Sequence, residues 1–264
     1  MTRLDDCFLA GEALINVGDA VARFSEMLSP ATGTETVPLR GALGRIVAQD
    51  LTARGAIPPH DNSAVDGFAV FFDDLKADAG TRLAVTGRIA AGHPLDRPAK
   101  RGEALTIFTG APVPEGPDTI FMVEDCRRDG DDVILPAGIK RGANRRRAGE
   151  DVKPGQVVVT RGTRLRPQEV GMAAALGRTE IPVFERLHVA VFSTGDEVRD
   201  PSDEAEDGSI FDINRYSVMG MLEHLGAEVS DLGIFADELE PLTEALGKAA
   251  ADHHVLITSG GVSM

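Results

Sequence analysis

The residues able to do chemistry in this chain are carboxylates and hydroxyls set in turn-forming segments. Pro58–Val70 reads PPHDNSAVDGFAV, with Asp61 and Asp66 five apart around Asn62, Ser63 and Gly67. Asp, Asn, Ser and Gly favour turns because their short side chains bond nearby backbone or tolerate unusual backbone angles. The apolar run Phe68–Phe72 that follows is expected to be a buried strand. An acidic, hydroxyl-bearing loop held against a rigid strand suits an oxygen-preferring cation, or an anion bound through one. The competing reading is an Asx turn, whose carboxylates only bond backbone N–H groups.

Further segments add to this set. Thr109–Pro114, read TGAPVP, follows an apolar strand ending at Phe108. A hydroxyl followed by Gly can approach a ligand closely there, and a rigid proline turn is the plainer alternative. The basic run Lys140–Arg147 leads into Gly149-Glu150-Asp151. Guanidinium groups suit bidentate oxyanion binding; otherwise the run is surface Arg–Glu pairing, which contributes little. Ser193–Glu197 (STGDE) and Thr258–Ser263 (TSGGVS) are the phosphate-cradle candidates. Backbone N–H groups and hydroxyls can hold phosphate without cationic side chains. Neither segment matches GxGxxG or GxxxxGK[ST], so each alone also reads as a strand-to-helix turn. The histidines are less informative. His253 and His254 are adjacent, and on a strand they would face opposite ways. His60, His93, His188 and His224 stand alone, and no Ser/His/Asp arrangement can be defended.

Composition limits the partners. The net charge is −15, which argues against a general nucleic-acid footprint. It also means that an anionic ligand needs local positive charge or a metal. With 5% aromatic residues and no Trp, stacking on bases is not a theme. Cys7 and Cys126 form no CxxC or zinc spacing and are expected to be free thiols in a reducing, cytoplasmic setting. The N-terminal MTRLDDCFLAG lacks the order of a signal peptide, and no apolar run reaches a membrane-spanning length.

The elements that must position these residues fall into two styles. Residues 13–29 predict an amphipathic helix through Leu14, Val17, Val21, Phe24 and Leu28, stopped by Pro30. From about residue 32 to 165, short apolar segments are densely punctuated by Gly and Pro, the pattern of small sheets or barrels. They include Leu83–Val85, Ala104–Phe108, Thr119–Val123, Val133–Leu135 and Val157–Val159. Pro167 opens a short helix running to Gly177. After about residue 185 the order becomes βαβαβ. Its strands are Leu187–Phe192, Glu228–Ile234 and Val255–Thr258. Its helices are Asn214–Leu225, with Val218, Met221, Leu222 and Leu225 on one face, and Glu238–Ala250. This order implies a parallel sheet, with both Gly-rich loops at its carboxyl edge, where ligands of such sheets bind. Asp200–Asp207 is a polar loop. Three parallel strands leave a raw sheet edge just before Met264, so the chain reads as truncated.

Six ordered segments, PPHDNSAVDGFAV, FTGAPVPEGPDTIFMVED, GANRRRAGEDVKPG, VFSTGDEV, IFDINR and ITSGGVS, resemble the molybdopterin molybdenumtransferase family, which the carboxy-terminal region of gephyrin shares. The resemblance implies a multidomain α/β plus β fold. Residues 1–31 would form an N-terminal helix packing with the αβα domain. Residues 32–52 and 156–186 would form a β-rich linker domain, 53–155 an inserted β domain, and 187–264 an incomplete three-layer αβα molybdopterin-binding domain. It implies a homodimer, with the cleft between the αβα domain of one subunit and the inserted domain of the other. It implies insertion of molybdate into adenylylated molybdopterin, giving molybdenum cofactor and AMP with Mg²⁺. A molybdopterin adenylyltransferase would act upstream, and neither nucleic acid nor membrane would be a partner. Carried over by motif, the catalytic positions are Asp66, Thr109, Asp151, Glu197 and Asp237, with Asp66, Glu197 and Asp237 as metal ligands. Ser193, Thr194, Gly195, Ser259, Gly260 and Gly261 would line the pterin-phosphate or nucleotide pocket, with Arg145 and Arg146 as oxyanion contacts. The alternative is a non-catalytic molybdopterin-binding or scaffold fragment of the gephyrin type. Val65 and Phe68 stand where relatives often have Met and Tyr, and the family's segments beyond TSGGVS are absent.

Overall fold

The computed structural model describes residues 15–204 and 207–260. The architecture is mixed α/β, in two compact units: Thr36–Val183, and Met1–Glu35 with Phe184–Met264.

The unit Thr36–Val183 is built on a six-stranded sheet. Its order is Thr119–Met122, Gly67–Val70, Glu103–Ile107, Thr81–Ile89, Asp132–Leu135, Arg127–Asp129. Neighbours are antiparallel except Thr81–Ile89 beside Glu103–Ile107, which run parallel. Gly67–Val70 is buried throughout because both faces are covered. Alternation sends Phe68 and Val70 to one face, with Phe121, Val133 and Leu135, and Ala69 to the other, with Ile89, Leu105 and Ile120. Gly67 is required: a Cβ there would lie 1.7 Å from the Phe121 carbonyl oxygen. A third apolar cluster, including Val37, Val47, Leu51, Leu165, Ile181 and Val183, is separate from these two. The helix Pro167–Ala175 contributes Ala173 to it, and Pro167 opens that helix as expected.

Two strands differ from expectation. The run Phe68–Phe72 ends as a strand at Val70. The Phe72 N–H instead donates to Asp118 Oδ1 (2.8 Å), and the chain turns into a 3-10 helix over Phe72–Asp74. The segment expected at Leu83–Val85 extends to Thr81–Ile89. Polar residues alternate along it, and pairing on both sides carries it past its apolar centre.

In the second unit, a central strand His188–Thr194 is flanked by Glu228–Phe235 and Val255–Ser259, all parallel. Helices Asn214–His224 and Leu239–Asp252 connect them, giving the βαβαβ order read from the sequence and an αβα-like region. Val189, Ala190, Val191 and Phe192 are buried, which explains the unbroken apolar run of a central parallel strand. The first helix spans Val17–Met27, capped by Asn16 Oδ1, which accepts the Asp19 N–H (2.9 Å). No residue of that helix is buried.

The helix Asn214–His224 is turned differently from its apolar pattern. Met221 and Leu225 are exposed, while Arg215 is the buried residue. Ion pairs, not apolar contacts, set its rotation at that end. His253 is also misplaced by pattern. It follows the helix Leu239–Asp252 instead of lying on a strand, with its ring between the Ala249 carbonyl and the Ser230 hydroxyl (2.8 Å each). No helix among the described residues is long and apolar enough to cross a membrane.

Candidate functional site

Asp66 sits exposed where the chain enters the buried strand Gly67–Val70. One carboxylate oxygen accepts both the Thr109 N–H (2.7 Å) and the Thr109 hydroxyl (2.7 Å). The two residues are 43 apart in sequence. Their meeting is a consequence of pairing: Gly67 stands opposite Ile107 in the sheet, so the loops at that end face each other. Backbone bonds complete the join. Ser63 N–H donates to the Ala111 carbonyl, Gly110 N–H to the Ser63 carbonyl and Val113 N–H to the Asp61 carbonyl. The Thr109 backbone donor, and then its hydroxyl, hold the Asp66 carboxyl below the usual carboxylate range. Asp66 is therefore an anion at neutral pH, placed by a built contact and not by a wandering turn.

The basic run joins the same unit. Arg145 and Arg146 form a short strand antiparallel to Asn62–Ser63. Arg145 Nε lies 3.4 Å from Asp61 Oδ2, and Asp61 Oδ1 accepts the Ala148 N–H (2.8 Å). Arg146 bonds Glu150 (2.5 Å) and Asp151 (2.6 Å). The plain reading of this run, local pairing on a loop, thus describes Arg146, Glu150 and Asp151. Asp61 also meets the Asx-turn description in part, since it bonds backbone, though 87 residues away.

In the unit with the parallel sheet, both Gly-rich loops leave the carboxyl edge side by side. Ser193 stands opposite Ser259 in the ladder. Gly260 has φ +111°, and a Cβ there would lie 2.8 Å from the Thr194 carbonyl oxygen. Gly195 has φ +143°, and a Cβ there would lie 2.8 Å from Glu197 Oε2. Both glycines permit close approach in a backbone region that side chains resist. The result is a cavity of about 320 Å³ lined by Ser193, Thr194, Glu197, Ser259 and Gly260 on one side. Ile210–Asn214 forms its other wall. The Ser193 hydroxyl is buried and has no partner at full hydrogen-bond geometry. Asp237 does not line the cavity; its N–H donates to Asp196 Oδ1 (3.3 Å). Gly261 lies outside the described residues, as does Cys7.

Sequence reasoning missed Asp212, Asn214 and Arg215. Asp212 and Asn214 line the cavity, and Asp212 accepts the Arg215 N–H (3.1 Å) at the start of the helix. The available signal was Asp followed three residues later by Arg at a helix start, inside IFDINR. Burial pushes the Asp212 carboxyl up. The Arg215 N–H, the Ser193 hydroxyl and the guanidinium outweigh that and hold it low.

Cys126 is free, and burial pushes its thiol up to about 11, so it stays protonated and is no nucleophile. Among the described residues no three His, Cys, Asp or Glu side chains group as a metal cage. A larger cavity, about 630 Å³, lies in the other unit among Phe71, Leu95, Val113 and Pro114. None of the expected catalytic side chains lines it, so size alone does not mark the chemistry.

The profile of the MoeA N-terminal region (domain I and II) matches residues 15–177, more than half of the chain. The chain belongs to the molybdopterin molybdenumtransferase family. The profile described as "Probable molybdopterin binding domain" matches residues 190–264, the part that holds the hydroxyl-lined cavity. The molybdopterin molybdenumtransferase of Haemophilus influenzae is 37% identical over 252 residues, covering 95% of this chain and 62% of that protein. Molybdopterin molybdenumtransferase 2 of Mycobacterium tuberculosis is 36% identical, covering 86% of this chain and 57% of that protein. The crystal structure of the molybdopterin biosynthesis moeA protein from Pyrococcus horikoshii superimposes with a TM-score of 0.85 at 32% identity. It covers 95% of this chain and 68% of that one. The chain thus spans little more than half the length of the curated family members it matches.

Proposed function

We propose that the chain serves molybdenum transfer: molybdate enters adenylylated molybdopterin, and molybdenum cofactor and AMP leave. The observation that carries this reading is the cavity at the carboxyl edge of the parallel sheet. It combines the Ser193, Thr194 and Ser259 hydroxyls with the close-packed Gly260 loop and one carboxylate, Glu197. Hydroxyls and loop N–H groups bind phosphate oxygens without needing side-chain cations. Ser193, Thr194, Gly195, Ser259, Gly260 and Gly261 are the proposed phosphate contacts. Arg145 and Arg146 are proposed to meet oxyanions in their own unit.

Mg²⁺ fits the donor chemistry. This cation characteristically uses one or two carboxylates, waters and substrate phosphates, so it needs no preformed protein cage. Glu197 on the cavity wall and Asp237, linked through Asp196, are proposed to hold it. Asp66 keeps its second carboxylate oxygen free of protein partners among the described residues and is a further proposed ligand. When bound, the cation compensates oxyanion charge that a chain at −15 would otherwise repel. Thr109 is proposed to orient Asp66 and keep it ionised. Asp151 is proposed to orient Arg146.

The proposal extends to a cytoplasmic homodimer supplied by a molybdopterin adenylyltransferase, and to the four-part domain division given above. The free Cys126 and the separate apolar clusters support it. The test is AMP release from adenylylated molybdopterin with molybdate and Mg²⁺. Asp66→Asn or Glu197→Gln should cut the rate on the order of 10²-fold while far-UV CD and melting stay unchanged. Wild-type turnover in both variants would overturn their roles. Ligand binding with no AMP release from the native chain would instead support the scaffold reading.

A further inference from the structure

Arg215 is 3% exposed, and all three nitrogens of its guanidinium are engaged. Nε bonds Asp212 (2.9 Å), Nη1 bonds Asp231, and Nη2 bonds Asp200. These partners come from three segments: the loop after Val198–Arg199, the turn before the helix, and the neighbouring strand Glu228–Phe235. Asp200 is itself shaped by the Ser202 N–H (3.0 Å) and hydroxyl (2.8 Å), and Tyr216 donates to it (2.9 Å). Burial works against the Arg215 charge, but Asp231, Asp212 and Asp200 outweigh it and hold the guanidinium protonated. The planar fork is suited to several fixed acceptors at once, which an ammonium is not.

The segment Ile210–Asn214 shows what this hub does. It forms one wall of the cavity, yet its apolar side chains are not what holds it. Ile210, Phe211 and Ile213 are 60%, 45% and 74% exposed. Side chains left in water contribute little burial energy. Two anchors remain. Ile210 N–H donates to the Glu197 carbonyl (2.9 Å), and Asp212 N–H to the Arg199 carbonyl (2.9 Å). This two-residue ladder is short for independent stability. Arg215 supplies the other anchor, tying Asp212 to the sheet through Asp231.

We propose that Arg215 is a positioning residue. It touches no ligand, and it sets the cavity's affinity by holding the Ile210–Asn214 wall through Asp212. The functional meaning rests on the reading that this cavity takes a phosphate-bearing ligand. The placement of the wall does not.

The test uses the whole chain, with two readouts: amide hydrogen exchange and AMP binding by calorimetry. In Arg215→Met the Ile210 and Asp212 amides should exchange at least tenfold faster, while those of Val189 and Val191 keep their protection. AMP should bind at least tenfold more weakly. Arg215→Lys should fall between Met and native, because one ammonium cannot span three carboxylates. Native exchange at both amides in a folded Arg215→Met protein overturns the proposal, as does native AMP affinity in that variant. If Arg215→Met does not fold, Asp200→Asn removes a single arm and should raise exchange at the same amides about threefold; unchanged rates there also overturn it. If the native chain binds no AMP but the exchange result holds, the phosphate reading fails and the positioning role stands.

Discussion

The loop of Asp66 and the loop of Ser193 both adjoin buried strands, and they treat their polar atoms differently. Around Asp66 the protein supplies its own partners: the Thr109 N–H and hydroxyl share one carboxylate oxygen, and backbone bonds stitch the Asn62–Ser63 and Gly110–Val113 segments together. Around Ser193 a buried hydroxyl lacks a properly placed partner, and a cavity opens beside it. Buried polar groups are normally satisfied, so one left open at a cavity wall marks the place where a ligand is expected. The first region holds a charge in place. The second leaves bonds to be made.

That contrast can be broken from either side. The largest effect is expected at Gly67. An Ala Cβ would meet the Phe121 carbonyl at 1.7 Å in the middle of the sheet. Gly67→Ala should cost about 4 kcal/mol or prevent folding, read from the urea midpoint. Next comes Gly260→Ala. Its Cβ would press on Thr194 at φ +111°, so AMP affinity should fall roughly tenfold or more through strain of about 1–3 kcal/mol, measured by calorimetry. A native affinity would show that the two loops do not form one cradle.

Thr109→Val sharpens the first region. It keeps the backbone donor and removes the hydroxyl, so the Asp66 pKa should rise toward its ordinary value without reaching it. A depressed carboxyl pKa contributes stability above the unfolded pKa and loses it as pH falls through the folded pKa. The contribution from Asp66 should therefore start to fade at a higher pH in the variant than in the native chain. Carboxyl NMR titration reads the shift, and an unchanged Asp66 pKa would deny the Thr109 hydroxyl any part in it. Ser193→Ala should have the smallest effect on stability, within about 0.5 kcal/mol, because little bonding is lost. Its AMP affinity should still fall by about threefold to tenfold, as for one lost hydrogen bond.

Much of the fold was legible. The Gly and Pro punctuation and the short apolar runs marked the sheet strands, and the βαβαβ order led to the parallel sheet and its ligand edge. The errors have physical causes. Phe72 leaves its strand because a distant carboxylate, Asp118, takes its N–H. The Asn214–His224 helix turns Arg215 inward because three acids outweigh its apolar stripe. Of the candidate site, the two Gly loops were legible because a parallel sheet with this order puts them at one edge. Arg215 was not, since a lone Arg at a helix start looks like surface charge.

Residue types and local order determined the elements, the turn chemistry and the family of this protein. Periodicity, glycine freedom and proline rigidity act within a few residues, so they are written in the chain itself. Only the tertiary structure decided which charges have partners. Asp66 meets Thr109 across 43 residues, and Arg215 meets Asp200 and Asp231 at 15 and 16. Electrostatic and hydrogen-bond energies depend on distances in space, and those distances are set by how the strands and helices pack.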